Sequence, residues 1–568
     1  MIWKNIRWML ALALASNLAV LAPGTLLAGQ PGNGSQSSMN SHTTTPIKHV
    51  VVIFQENVSF DHYFATYPSA ANPAGEPHFK PRSGFLFPTP SVNGLSGNLL
   101  ANNPNSANPF RLDRSQASTC DQNHNYGAEQ SAFDQGLMDN FPATIGVSES
   151  AFCDVSFSYG HLNGTLVMGY FDGNTVTALW NYAQLFAMSD NSYGTTFGPS
   201  TPGLLNLVAG NTFPATLSGA ASSPKIVNPT GQTGTLTGDL DPTGDVCSSA
   251  TSVQLGGQSV GDLLNKKGIS WGSFMGGFDL TIKNPDGSTG CKRQSPATPA
   301  NNGPTADYIP HHAFFQYWAS TLNANHTRPS VGPALYGTAA DTGANHEYDI
   351  HDFFDALKAG NLPAVSFLKA PAFQDGHAGY SDPLLEQEFI VNTINTIQQS
   401  PFWDNTAIIV SYDDSDGWYD HQMSPIVNSS AVTSSNQSQN GDNFNAVGKC
   451  GNGTPLKDAM GNPIQGRCGY GPRLPLLVVS PWAKINFVDG TLTDQSSILR
   501  FIEDNWSLGR IGGGSYDVLA GSLLNMFNFN REPFARKLIL DPSTGEPVND
   551  RDDFDRDAQS SILNGPSN

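Results

Sequence analysis

The chain has 568 residues, with 48 acidic against 28 basic side chains and a net charge of −20. No cluster of Lys and Arg stands out against that acidity, so nucleic acid is excluded as a partner and stable adsorption to anionic lipid is disfavoured. The length allows several domains, yet α/β folds with long insertions occupy several hundred residues as one unit.

The first segment carries Lys4 and Arg7, an apolar run over 8–21 and small residues around 26–29, the pattern of a removable secretory signal over 1–28. No other window approaches the roughly 18 consecutive apolar residues of a spanning helix, so an exported protein, periplasmic or secreted and without a stable membrane anchor, is expected. Residues 29–46, "GQPGNGSQSSMNSHTTTP", have no apolar period and read as a disordered linker.

The main body begins with an apolar run over 50–54 that stops at Gln55, Glu56 and Asn57. Such a run suits a strand covered on both faces, and its polar end calls for a reason. Next come His124 in "CDQNHNYG" and Ser200 in "TTFGPSTPGLLNLVAG". There Pro202 and the apolar run 204–209 predict a helix with Ser200 at its N-terminus. Free amides at that end would attract a phosphate, although a serine so placed is more commonly a plain cap. The segment 210–256 lacks a helical period and reads as a surface insertion. His311-His312 and His377 lie in polar or Gly-bounded loops.

Beyond them, helices are predicted over 349–359, 384–399 and 494–506, the second with Leu385, Phe389, Ile390, Ile394 and Ile397 on one stripe. Further strands are predicted over 364–368, 406–411 and 474–480. Residues 425–472 read as a second insertion, and the acidic stretch 541–568 as a peripheral tail. Alternating strands and helices predict an α/β fold with a doubly wound, mostly parallel sheet, helices on both faces and one domain over 47–540.

In an open sheet of this kind, ligands gather beyond the carboxyl ends of the strands. Glu56 and Asn57 follow the first strand, and Asp413 and Asp414 follow the strand 406–411, so two oxygen-bearing pairs could converge on a hard or borderline divalent cation. Either pair alone could equally be a solvated turn. An EF-hand does not fit Asp413, Asp414, Asp416 and Asp420, because setting Gly417 at loop position six puts Tyr412 at position one. The four histidines could ligate a second metal, or bind phosphoryl oxygens and protonate a leaving alkoxide. The six cysteines, with no CxxC pair and in an exported chain, favour disulfides, most simply in sequence order as Cys120–Cys153, Cys247–Cys291 and Cys450–Cys468.

The segments "IKHVVVIFQENVSFDHYF", "MGYF", "GPSTPG", "VGDLLNKKGISW", "FWDNTAIIVSYDDSDGWYDH" and "GPRLPLLVVSPWA" resemble, in that order, the bacterial phosphoesterase family. That family unites non-haemolytic phospholipases C with periplasmic acid phosphatases. The resemblance runs from about Ile47 to Trp506 and implies a fold similar to alkaline phosphatase and a covalent phospho-enzyme. It implies one divalent metal, whether Ca, Mg, Mn, Fe or Zn, held by Glu56, Asn57, Asp413 and Asp414 with Ser200, which also stands at the nucleophile position. His124, His311, His312 and His377 match the histidines around the phosphate, with either member of the His311-His312 pair able to face it. Ser200-Thr201-Pro202-Gly203 and Asp413-Asp414-Ser415 depart from the phospholipase pattern and resemble the acid phosphatase branch. A secreted or periplasmic acid phosphatase acting on small phosphomonoesters is therefore expected, with a phospholipase C acting on phospholipid as the alternative.

Two rival readings are open. "GISWG", 268–272, matches the G-x-S-x-G elbow of α/β-hydrolases around Ser270, but a helical pattern ending at Gly268 precedes that serine where a strand is required. A calcium-stabilised binding protein would use the same acidic pairs and leave Ser200 idle.

Overall fold

The computed structural model describes residues 42–82, 88–146, 155–161, 163–296, 305–533 and 537–548. The expected signal segment, most of the linker, Cys153 and the tail beyond 548 lie outside the described residues. Eight strands form the main sheet: β1 His49–Gln55, β2 Ala187–Ser189, β3 Trp271–Met275, β4 Glu347–Asp349, β5 Val365–Lys369, β6 Thr406–Tyr412, β7 Leu476–Val479 and β8 Phe487–Asp489. Their spatial order is β4-β3-β5-β1-β6-β7-β2-β8. All neighbours are parallel except β7, which runs antiparallel to both β6 and β2. The sheet is thus doubly wound and mostly parallel, as expected, with one reversed strand that an apolar run alone cannot orient.

The central strands are buried on both faces, Val50 to Phe54 and Ala407 to Val410 having no exposed surface. That explains why they read as unbroken apolar runs where a one-sided sheet would alternate. The helices that position the site or cover the sheet are α1 Phe60–Phe64, α2 Ser200–Ala209, α3 Val260–Lys267, α4 Ile350–Lys358, α5 Pro383–Gln399 and α6 Gln495–Trp506. Asp349, Asp382 and Asp494 each cap a helix N-terminus through their carboxylates, at α4, α5 and α6. The expected starts of those three helices differ from the observed ones by one residue, and the expected ends agree for α5 and α6 and differ by one for α4.

The insertion at 210–256 folds into a small five-stranded sheet that includes Ala215–Ser218, Ile226–Thr230 and Ser252–Leu255. Disulfides join Cys247 to Cys291 and Cys450 to Cys468, two of the three expected pairs. The packed body extends past the limits of 47–540. Thr44 donates its amide to the carbonyl of Asn505 at 2.9 Å, and Gly545 accepts from Asn181 at 2.8 Å. Among the described residues no helix is long and apolar enough to cross a membrane.

Candidate active site

Strand register builds the centre of the site. Gln55 of β1 lies opposite Tyr412 of β6, so the next residue on each strand, Glu56 and Asp413, leaves the sheet beside its neighbour. The chain then turns sharply at Asn57, whose φ of +55° lies in the left-handed region that side chains other than Gly enter only under constraint. Its amide N–H donates to Asp413 Oδ1 at 3.1 Å, and Val58 N–H donates to the Asp414 carbonyl at 2.9 Å. Both expected pairs are brought together, and all four residues are buried.

Ser200 joins them from α2. The helix is capped by Pro199 without a side-chain bond, so Ser200 is its first residue and not a plain cap. Its hydroxyl points at Glu56 Oε2 (3.0 Å), Asp414 Oδ2 (3.1 Å) and Asn57 Oδ1 (3.4 Å). Gly203 permits this approach, since a Cβ there would lie 2.1 Å from the Asp413 carbonyl oxygen. The amide of Thr201, however, already donates to Asp239 Oδ1 at 2.9 Å. The helix end expected to offer free amides to a phosphate is therefore partly occupied by a carboxylate of the chain itself.

Ser200 is the single hydroxyl shared by these acceptors, and Asn57 adds either an amide that donates to Glu56 Oε2 and Asp413 Oδ1 or, with its oxygen turned inward, a further oxygen facing theirs. Asn57 Oδ1 lies 2.7 Å from Glu56 Oε2 and 3.0 Å from Asp413 Oδ1. With Asn57 Oδ1 inward, such spacings suit the edge of a polyhedron around a cation whose oxygen ligands sit at about 2.0–2.6 Å. The Asn57 orientation is consistent on its other side as well. His377 Nδ1 donates to the Ala378 carbonyl, which leaves the Nε2 lone pair for the Asn57 amide 3.0 Å away. Glu56, Asn57, Ser200, Asp413 and Asp414 thus fit a divalent, oxygen-preferring metal ion.

Sequence reasoning missed Lys369, the last residue of β5, buried in an ion pair with Glu56 Oε1 and 3.3 Å from Asp413 Oδ2. Burial alone would lower its pKa, but Asp413, Glu56 and Asp375 outweigh that and raise it, so it stays charged. The three ligand carboxylates and Asp375 outnumber this one ammonium, an excess of negative charge that a divalent ion would offset. The rule about strand carboxyl ends also covers Lys369, so its position was the available signal.

The four histidines divide by environment. His312 is the inward member of its pair, with Nδ1 3.1 Å from Glu56 Oε1, and burial followed by the charge of His311 holds its pKa well down. His311 is the more exposed member, its side chain 31% exposed and Nδ1 3.5 Å from Asp241 Oδ1. Burial opposes its charged form, but Asp241 and Asp239 raise its pKa overall. His124 places Nδ1 3.1 Å from Asp416 Oδ1 and Nε2 3.5 Å from Asn57 Nδ2. His377 is lowered by burial despite Asp121, which disfavours it among the histidines that could protonate the leaving alkoxide.

Ser270 lies outside the cluster. It follows α3 and the left-handed Gly268 (φ +67°), and its hydroxyl accepts from Ala364 N at 3.0 Å. It precedes β3 where an elbow serine would follow a strand, so the α/β-hydrolase geometry is absent at Ser270.

The chain has relatives at modest identity. The chain is 25% identical over 511 residues to a non-hemolytic phospholipase C of Pseudomonas aeruginosa, covering 86% of this chain and 58% of the relative. It is 23% identical over 501 residues to phospholipase C A of Mycobacterium tuberculosis, covering 86% and 78%. It therefore spans somewhat more than half of the Pseudomonas protein and about three quarters of the Mycobacterium one. A Vibrio parahaemolyticus protein of the alkaline phosphatase superfamily aligns over 59% of this chain and 62% of its own, at 12% identity and a TM-score of 0.24, too low an overlap to bear on the site. The model of the Phosphoesterase family matches residues 47–509, which include every residue of the cluster, and the chain belongs to that family.

Proposed function

We propose that the chain hydrolyses phosphate esters through a phosphoserine on Ser200, with phosphodiester cleavage of the phospholipase C type as its main activity. The observation that carries this is the Ser200 hydroxyl, first residue of a helix and buried among acceptor oxygens of Glu56, Asn57 and Asp414. A divalent ion held there would lower the cost of ionising Ser200 and offset charge on the phosphoryl group. Ser200 Oγ attacks phosphorus in line, the bond to the leaving alkoxide breaks, and a proton from His311 neutralises that alkoxide. Water then cleaves the phosphoserine and restores the hydroxyl.

The named activities of the Pseudomonas and Mycobacterium relatives favour the diester reading over the acid phosphatase expected from sequence. The monoester reading keeps one observation in its favour, the Ser200-Thr201-Pro202-Gly203 and Asp413-Asp414-Ser415 segments. Hydrolysis of a phosphomonoester, a phosphodiester and phosphatidylcholine by one metal-loaded preparation separates the two.

Ser200→Ala should lose at least ~10³-fold in turnover, the scale of deleting a covalent step, while Ser270→Ala stays within about tenfold. Acid quench with a labelled ester should leave the label on the peptide containing Ser200. Label elsewhere, or an active Ser200→Ala protein, defeats the assignment.

A further inference from the structure

Each pair of candidate ligands is followed within a few residues by an aspartate, Asp61 after Asn57 and Asp420 after Asp414, and both aspartates converge on one guanidinium. Arg473, fully buried ahead of β7, places Nη2 3.0 Å from Asp61 Oδ1 and Nε 3.0 Å from Asp420 Oδ2. The same side chain lies 4.2 Å above the Phe60 ring, and its carbonyl accepts from Phe60 N at 2.8 Å. Backbone contacts close the assembly: Asp61 N donates to Asp420 Oδ2 at 3.1 Å and Ser59 Oγ to the Tyr419 carbonyl at 3.0 Å. The α1 segment and the loop after β6 therefore have little means of separating while this fork is in place.

We propose that Arg473 is a positioning residue that fixes the separation of the two ligand-bearing loops and so sets the affinity for the metal. This rests on the reading of Glu56, Asn57, Asp413 and Asp414 as ligands. A planar fork can hold two carboxylates at a set distance and angle, whereas an ammonium is a point charge that fixes neither. A loop displaced by a fraction of an ångström still folds, but it presents its oxygens at unequal distances. The loss therefore falls on metal affinity before it falls on the fold.

The matched control is Arg467, also fully buried and lying 4.7 Å from the Tyr516 ring. It hydrogen-bonds the carbonyls of Gly210 and Gly514, at the end of α2 remote from Ser200. Arg473→Lys and Arg467→Lys each trade a buried fork for an ammonium, and only the first touches the ligand loops.

The test is a competition titration of Mn(II) and of Zn(II) against a chromogenic chelator for wild type, Arg473→Lys and Arg467→Lys, with thermal unfolding alongside. Arg473→Lys should weaken the metal by about 10- to 100-fold, the usual cost of losing an outer-shell partner. Its turnover should climb back toward wild type as metal is raised. Arg467→Lys should lower the melting temperature and leave metal affinity unchanged. A folded Arg473→Lys protein with wild-type affinity overturns the proposal, as does equal weakening in Arg467→Lys. Should Arg473→Lys not fold, Asp61→Asn, which removes one arm of the clamp, is read by the same criterion. Failure of the functional reading looks different, because wild type itself would then bind neither ion.

Discussion

Lys369 and His311 show how neighbours decide what a side chain can do. Lys369 is the fixed cation of the site, buried between Glu56 and Asp413. Removing one partner of a buried ion pair leaves the other charges uncompensated, at about 3–5 kcal/mol. Lys369→Met should therefore unfold at clearly lower urea than wild type, with added metal restoring part of the loss, and an unchanged midpoint would show that the ammonium carries no such burden. His311 keeps its proton for a different reason. Asp241 and Asp239 raise its pKa above 6.5 against the effect of burial, with Glu56 adding to the same side. A raised pKa means the acid form persists to higher pH than in a free imidazole and is lost as pH rises through the new value, so turnover should fall on the alkaline side. Asp241→Asn removes the largest raising influence and should move that alkaline limb to lower pH. A limb that stays in place, or moves upward, would rule out His311 as the proton donor.

At the scale of elements, the close approach of α2 to the end of β6 is what brings Ser200 into the acidic cluster. Gly203 has no room for a Cβ against Asp413. Gly203→Ala would improve helix propensity by about 1 kcal/mol, yet it should cost activity at least ~10-fold, because the helix must back away from Asp413. Raised stability with intact turnover would mean that the approach is looser than the geometry indicates. The same elements explain what could be read from sequence. The runs at 50–54 and 406–411 are central strands buried on both faces, so composition alone marked them, and the residues just beyond them form the acidic cluster around Ser200. β2, β4 and β8 have three residues each, too short for any apolar period to stand out. Lys369 escaped because a lysine ending an apolar run reads as a solvated terminus until the carboxylates around it are known. Arg473 escaped because its partners, Asp61 and Asp420, are 412 and 53 residues away in sequence, beyond the reach of any local pattern. Even the choice between His311 and His312 needed the fold, since adjacent residues face opposite ways only relative to an environment.

For the molecule as a whole, a chain with a net charge of −20 buries several of its carboxylates around one point, so its stability should depend on what neutralises them. In the absence of metal, burial and the nearby Glu56 push Asp413 up to about 8, and burial raises Asp414 as well. A carboxyl whose pKa is higher in the folded than in the unfolded state stabilises the fold most fully below the unfolded value, near 3.9, and that stability drains away as pH rises through the folded value. The metal-free protein should therefore lose stability steadily between about pH 4 and pH 8. Bound metal replaces the protons, and its affinity grows over the same range because its ligands must be deprotonated. At a free metal concentration 100 times the dissociation constant, binding to the folded state alone adds about 2.7 kcal/mol. The measurable consequence is a melting-temperature difference between metal-loaded and chelated protein that widens from pH 5 to pH 8. A difference that is constant or narrows with rising pH would mean that the carboxylates at the ends of β1 and β6 are not where the ion binds.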